Sequence, residues 1–298
     1  MKATLRSFVL LCSGFTLLAT LSARAELMYA TNGSSISRFD SNSLGSVTTV
    51  PLTGLQTNET LVGIDLRPSN GLLYGVGSTS RVYTINPLTG AATPVGASQF
   101  SPLLNGTSFG TDFNPVPDRI RQVSNTEQNL RLNPDTGATA ATDTALNPAG
   151  NVVAVAYDRN FAGTTLTTLF GIDSAAGTLV RIGGVDGTPS PNGGLITTIG
   201  SLNLGTNLNE AIGFDISGLS AIAFASITIG NVSSLYTINL ATGVASLASS
   251  NGGVIGTGTT AFLGLTAATA VPEPGSVALI ATAAGLLGLY RFRSRKKN

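Results

Sequence analysis

The sequence predicts an all-β fold, a propeller-like ring of about five four-stranded antiparallel blades, or six if an enlarged fourth unit conceals another. Three observations carry this. A stretch of the chain repeats without a gap at a spacing of 47 residues. Each unit holds four short apolar-alternating segments separated by turn residues, enough for its own sheet. The composition, with 36 Gly, no Trp and abundant Thr, Ser and Asn, favours strands and tight turns over helices.

The repeat is clearest where GLLYGVGSTSRVYTIN, Gly71 to Asn86, aligns on DRIRQVSNTEQNLRLN, Asp118 to Asn133. The same register carries Val62–Pro68 onto Phe109–Pro115, and two separate patches in one register mark a true repeat. Weaker copies share an apolar-x-apolar-Asn/Asp motif followed by a Gly turn. They end at Asn86 with Gly90, Asn133 with Gly137, Asp173 with Gly177 and Asn239 with Gly243, and a looser first copy ends at Asp40. The Asn or Asp side chain opens each turn by accepting from backbone amides further on. Five copies are counted, the fourth enlarged by a Gly/Pro-rich insertion around Val185 to Leu204. In the best copy the expected strands are Leu72–Val76, Arg81–Asn86, Ala91–Val95 and Ser108–Phe113. A β-solenoid is the rival architecture, but its coils are shorter, near 20 to 30 residues.

The two ends read as address labels. Lys2 and Arg6 precede an apolar run from Phe8 to Leu21, and Ala23-Arg24-Ala25 supplies the small-x-small pattern of a signal peptidase site, so 1–25 is read as a signal peptide cut after Ala25. Cys12 lies in this run and leaves with it. At the other end, in 271–298, Pro272-Glu273-Pro274 is followed by an apolar stretch at 276–290 and a basic tail at 291–298, the layout of a transmembrane helix whose basic end stays cytoplasmic. That order resembles the PEP-CTERM sorting signal. The resemblance implies signal peptidase and exosortase as processing partners in a Gram-negative bacterium that makes extracellular polysaccharide, with a transient inner-membrane anchor and a destination at the cell surface, outer envelope or matrix.

Between the ends, residues 26–270 form one repetitive ectodomain that carries eight Arg, no Lys and fourteen acidic residues. Its negative balance argues against nucleic acid as a partner. No cysteine remains after cleavage, so packing and hydrogen bonds must supply the stability. The segments GIDLRP, RVYTINPLTG, DFNPVPDRIRQVS and NLRLNPDTG resemble the domain-of-unknown-function 4394 family of exported bacterial proteins. The resemblance implies a propeller-like fold and export, and it transfers no catalytic residue.

Candidate chemistry is sparse. Gly106-Thr107-Ser108-Phe109-Gly110 matches G-x-S-x-G, but the chain has no histidine to serve as base, and Ser108 aligns with Leu61 of an ordinary strand. Without His, and with its one Cys in the signal peptide, the ectodomain lacks the usual ligands for zinc, copper or iron, and no cofactor is expected. Calcium through Asp135, Asp143 and Asp186 stays open, although no D-x-D-x-D-G loop is present. Asp65, Asp112 and Asp215 return at one motif position in three units. That regularity suits structural acids tying turns to strands better than an asymmetric catalytic set. Arg119, Arg121 and Arg131 break the repeat, replacing Leu72, Tyr74 and Thr84. Arg119 and Arg121 share a strand face and could fork an acidic sugar, or they could pair internally with Asp112, Asp118 and Glu127. The reading that follows is a non-enzymatic surface or matrix propeller, a binding or structural component associated with extracellular polysaccharide. The alternative is a carbohydrate-active hydrolase or lyase using channel carboxylates and arginines.

Overall fold

The computed structural model describes residues 25–248 and 250–268. The signal peptide with its cut before Glu26 falls almost wholly outside them, and the sorting motif at Pro272, Glu273 and Pro274 and the segment at 276–290 fall entirely outside. Among the described residues no helix is long and apolar enough to cross a membrane.

Among the described residues twenty strands form five four-stranded antiparallel sheets. The first blade joins the two ends of the domain: β1 (Leu27–Thr31), β2 (Ser35–Asp40) and β3 (Ser43–Pro51) extend outward from β20 (Gly264–Ala267), which comes from the far end of the sequence. The second blade runs outward through β4 (Leu61–Leu66), β5 (Leu73–Gly77), β6 (Arg81–Ile85) and β7 (Ala92–Val95). The third follows the same plan with β8 (Phe109–Asn114), β9 (Arg119–Ser124), β10 (Asn129–Leu132) and β11 (Thr139–Thr142). The fourth holds β12 (Val152–Tyr157), β13 (Leu169–Asp173), β14 (Thr178–Ile182) and β15 (Ile196–Ser201). The fifth holds β16 (Gly213–Ile216), β17 (Ala223–Ile229), β18 (Val232–Ile238) and β19 (Ala245–Leu247). The inner strands β4, β8, β12, β16 and β20 contact one another in a closed circle.

Two sequence expectations are corrected in detail. The insertion around Val185 to Leu204 hides no sixth blade: it makes 3-10 turns at Val185–Gly187 and Pro191–Gly193 and then supplies β15, the outer strand of the fourth blade. The strand expected at Ser108–Phe113 does not complete the second blade, because it is the inner strand of the third. A cyclic repeat has no intrinsic starting point, so self-alignment finds the period without finding where a blade begins.

Burial follows position in the blade. All six residues of β12, VVAVAY, are buried, as expected of a strand covered on both faces, whereas the outer strands β3 and β11 are largely open to solvent. The core divides into five apolar clusters, one for each interface between neighbouring blades. Between the second and third blades, for example, Tyr74 meets Phe113 edge-on at 5.2 Å between ring centroids. Asn86, Asn133 and Asn239 each accept from backbone amides two or three residues on, which is the turn chemistry the motif implied. Gly71 has a positive φ of 70°, and Asp118, its counterpart in the repeat, adopts the same left-handed conformation at 53°.

At the axis the strands come so close that side chains are excluded. A Cβ on Gly63 would lie 2.1 Å from Thr111 Oγ1, and one on Gly110 would lie 2.8 Å from the backbone N of Val155. Gly213 and Gly264 face similar obstruction from Leu265 and Ile64, and Ala154 takes the equivalent place in the fourth blade. Phe109, Ile212, Phe214, Leu263 and Leu265 line the remainder, a cavity with about 10 Å³ open to the centre of a water molecule, room for no more than about one water. Apolar side chains therefore plug the channel.

The Gly110→Ala substitution should lower stability by about 1–3 kcal/mol, because the added methyl meets backbone that cannot rotate away. Gly193→Ala, where an added Cβ meets nothing within 4 Å, should change stability by less than about 0.5 kcal/mol. Urea unfolding of both variants checks the contrast, and equal midpoints would contradict it.

Candidate functional site

Each inner strand begins at one face of the ring and ends at the other. On the face where they begin, the mouth of the plugged channel opens into a funnel of about 290 Å³. Its walls are Leu61 and Val62 at the start of β4, Ser108 and Phe109 at the start of β8, Glu210 ahead of β16, and Leu263 ahead of β20. Glu210 organises the polar side. Its Oε2 accepts from the Ser108 hydroxyl at 2.5 Å and from Asn125 Nδ2 at 3.3 Å, and its Oε1 accepts from Asn151 Nδ2 at 2.6 Å. The Ser108 hydroxyl, followed by the Asn151 amide, holds this carboxyl below the usual glutamate range. A carboxylate so stabilised is a weak base, and Ser108, donating to it from the entrance of a strand, has no strand-to-helix elbow around it. Among the described residues Glu210 is the one carboxylate lining the funnel, so they place no facing pair of the glycosidase kind there.

On the opposite side of the plug, Asp65, Asp112 and Asp215 form a buried belt. Asp65 Oδ2 accepts from the backbone N–H of Phe113 at 2.7 Å, Asp112 from that of Tyr157 at 3.3 Å, and Asp215 Oδ2 from that of Ala267 at 2.6 Å. Each carboxyl thus reaches from its own inner strand to the next. In the first blade Thr266 takes this place and accepts from Leu66 N–H at 3.4 Å, and in the fourth the position is Ala156, which offers no acceptor. Burial pushes Asp65 and Asp112 well above the usual aspartate range, reinforced by the charges of Asp215 and Asp65 respectively. Burial raises Asp215 to about 6. Enclosed and committed to backbone amides, the three have no open path to a polymeric substrate.

The three arginines do not assemble as a paired fork. Arg121 is 1% exposed: Nε donates to the Tyr157 hydroxyl, Nη1 to Asn129 and Asp143, and Nη2 to Asn192. Arg131 shares Asp143 with it, through Nε at 2.8 Å. Arg119 instead donates to the backbone carbonyls of Pro117 and Asp118. The internal partner is thus Asp143, in place of the expected Asp112, Asp118 and Glu127. Asp118 and Asp135 both pair with Arg67, and Asp186 pairs with Arg159. The acids proposed for calcium from their turn positions are therefore engaged by guanidinium groups.

Sequence reasoning missed Glu210 because it lies in a connection between blades, where the repeat offers no counterpart. It missed Asp143 as the hub of the arginine network for the same reason.

Replacing Arg121 by Ala strands the nearly buried carboxylate of Asp143 with Arg131 alone. A loss of about 3–5 kcal/mol is expected in urea unfolding, as for other broken buried ion pairs. A wild-type midpoint would show that the network does not hold the third blade.

Solved structures resemble the chain at low identity. A protein of unknown function from Bacteroides thetaiotaomicron aligns at 14% identity and a TM-score of 0.44, over 76% of this chain and 58% of that one. A GH43 glycoside hydrolase engineered for endo-xylanase and exo-arabinofuranosidase activity aligns at 13% and 0.46, over 78% and 53%. PorZ, a surface component of the type-IX secretion system of Porphyromonas gingivalis, aligns at 14% and 0.39, over 76% and 29%. The chain thus spans from under a third to somewhat over half of these structures. No curated protein matches it. One family does, over residues 35–262, from β2 to the approach to β20, and the chain belongs to it: the Domain of unknown function (DUF4394) family.

Proposed function

We propose that this protein is an exported, non-enzymatic propeller of the bacterial surface or matrix, a binding and structural component that contacts extracellular polysaccharide through the funnel around Glu210. The observation that carries this reading is the separation of the acids by the apolar plug. One ionised carboxylate stands at the open mouth, while the other three are shut away beneath it, so no pair is placed to deliver and remove protons across a glycosidic bond.

The funnel offers what sugar binding uses. The Glu210 carboxylate is an acceptor for hydroxyl groups, Ser108 and Thr107 add polar atoms, and the half-buried Leu104 and Leu263 offer apolar surface for ring C–H faces. Its volume lies at the small end of ligand pockets and suits one or two sugar units. An ionised carboxylate in a net-acidic ectodomain favours neutral or amino sugars over acidic ones. That choice departs from the acidic-sugar reading of Arg119, Arg121 and Arg131, since the guanidinium group of Arg121 is spent internally.

Export rests on the residue order at the two ends. Signal peptidase would cut after Ala25, and segment 276–290 would hold the chain in the inner membrane of a Gram-negative cell until exosortase acts near Pro272-Glu273-Pro274.

The test is a glycan array, followed by titration of the best neutral or amino-sugar oligosaccharide. Glu210→Gln should weaken binding about tenfold, the cost of one charge-assisted hydrogen bond. Because its pKa is lowered, Glu210 stays ionised through mildly acidic conditions, so wild-type affinity should hold from neutral pH down through the usual glutamate range and fall only below it. Release of new reducing ends during the titration would establish the hydrolase alternative instead.

A further inference from the structure

Beneath the plug, three carboxyl groups gather with no arginine or lysine paired to them among the described residues. Asp65, Asp112 and Asp215 are 1–2% exposed, and each places an oxygen within 4.8 Å of the others. Their donors are backbone N–H groups and the Thr266 hydroxyl, and none takes part in an ion pair among the described residues. Asp112 is served worst, since both of its oxygens share the single N–H of Tyr157 at 3.3 Å.

A separate observation points the same way. Glu26 is 3% exposed, and among the described residues both of its carboxylate oxygens are buried without a hydrogen-bond partner. It immediately precedes β1, whose Met28 stands opposite Ala267 of β20, the residue whose N–H Asp215 accepts. Burial is what chiefly raises Asp215, and the Glu26 carboxylate lies close enough to act on it as well. A carboxylate stripped of water and left unpartnered is expensive, and among the described residues none of these four meets an arginine.

We propose that Asp65, Asp112 and Asp215 form a calcium site on the propeller axis, with Glu26 contributing a fourth negative charge. The donor set is all oxygen, which selects a hard cation. Ligands of one calcium ion lie about 2.3–2.6 Å from it, so two of them stand at most roughly 5 Å apart, a span that accommodates the 4.8 Å limit of this cluster. Magnesium, with ligands at about 2.0–2.1 Å, needs a tighter group. The ion would join the second, third and fifth blades directly. It would thereby staple the ring across the fourth, where Ala156 provides no tie.

The full-length protein in mild detergent, stripped with chelator, is dialysed against calcium or magnesium at matched ionic strength. It is then assayed for bound metal by mass spectrometry and for melting temperature. The expected result is about one calcium retained per chain and a melting temperature raised by about 5 °C or more, with magnesium giving a smaller shift. Asp112→Asn should retain no calcium and lose the shift, and Glu26→Gln should keep the stoichiometry with an affinity lowered about threefold or more. Should Asp112→Asn fail to fold, the wild-type stoichiometry still decides. A wild-type protein that retains no calcium and shows no calcium-specific shift overturns the proposal, as does an Asp112→Asn protein that binds calcium like wild type.

Discussion

The five inner strands approach one another so closely at the axis that a Cβ added at Gly63, Gly110, Gly213 or Gly264 would collide with the neighbouring strand. Much of the molecule follows from that proximity. Gly63, Gly110, Gly213 and Gly264, with Ala154, let the strands close to this distance, and the residues beside them, such as Phe109, Leu263 and Leu265, then fill what would otherwise be a channel. The same proximity brings Asp65, Asp112 and Asp215 within reach of amides on the neighbouring strand, so the belt exists only because the glycines allow it. Closure of the ring adds the last requirement. β20 must return from the end of the domain to pair with β1, so the final inner strand is supplied after all other blades are complete.

This geometry separates polar chemistry into three zones. The mouth of the funnel is open and carries Glu210 in a net of neutral donors. The belt below the plug is closed. The third zone is the third blade, where Arg121 and Arg131 converge on Asp143 and hold the segment around Asn192. Three guanidinium groups that break a repeat invite a ligand reading, but here one of them anchors the inserted segment of the fourth blade to its neighbour. The enlarged fourth unit and the arginine-rich third are therefore two halves of one adaptation: the long excursion before β15 needs a partner, and Arg121 provides it.

How much of this was legible depended on whether a feature repeats. The strands, the Asn turns at Asn86, Asn133 and Asn239, and the blade period all recur, so self-comparison found them. The recurrence of Asp65, Asp112 and Asp215 was also visible, but their convergence depends on ring closure, a long-range consequence with no local signal. Glu210 went unseen, and Asp143 was singled out only as a calcium candidate and not as the partner of Arg121 and Arg131, because each lies in a connection between blades where the repeat offers no counterpart. The phase of the blades was hidden too, since β20 belongs spatially to the first blade and sequentially to the last.

The claim most central to this account is that inner strands are locked to one another by side-chain acceptors around the axis. Native-state hydrogen exchange at the amides of Phe113, Tyr157, Ala267 and Leu66 tests it directly, because these four N–H groups make the links between blades. The account predicts that all four exchange only through global unfolding, with the same denaturant dependence as the slowest amides of the core strands. Exchange through a local opening, insensitive to denaturant and orders of magnitude faster than the core, would contradict it.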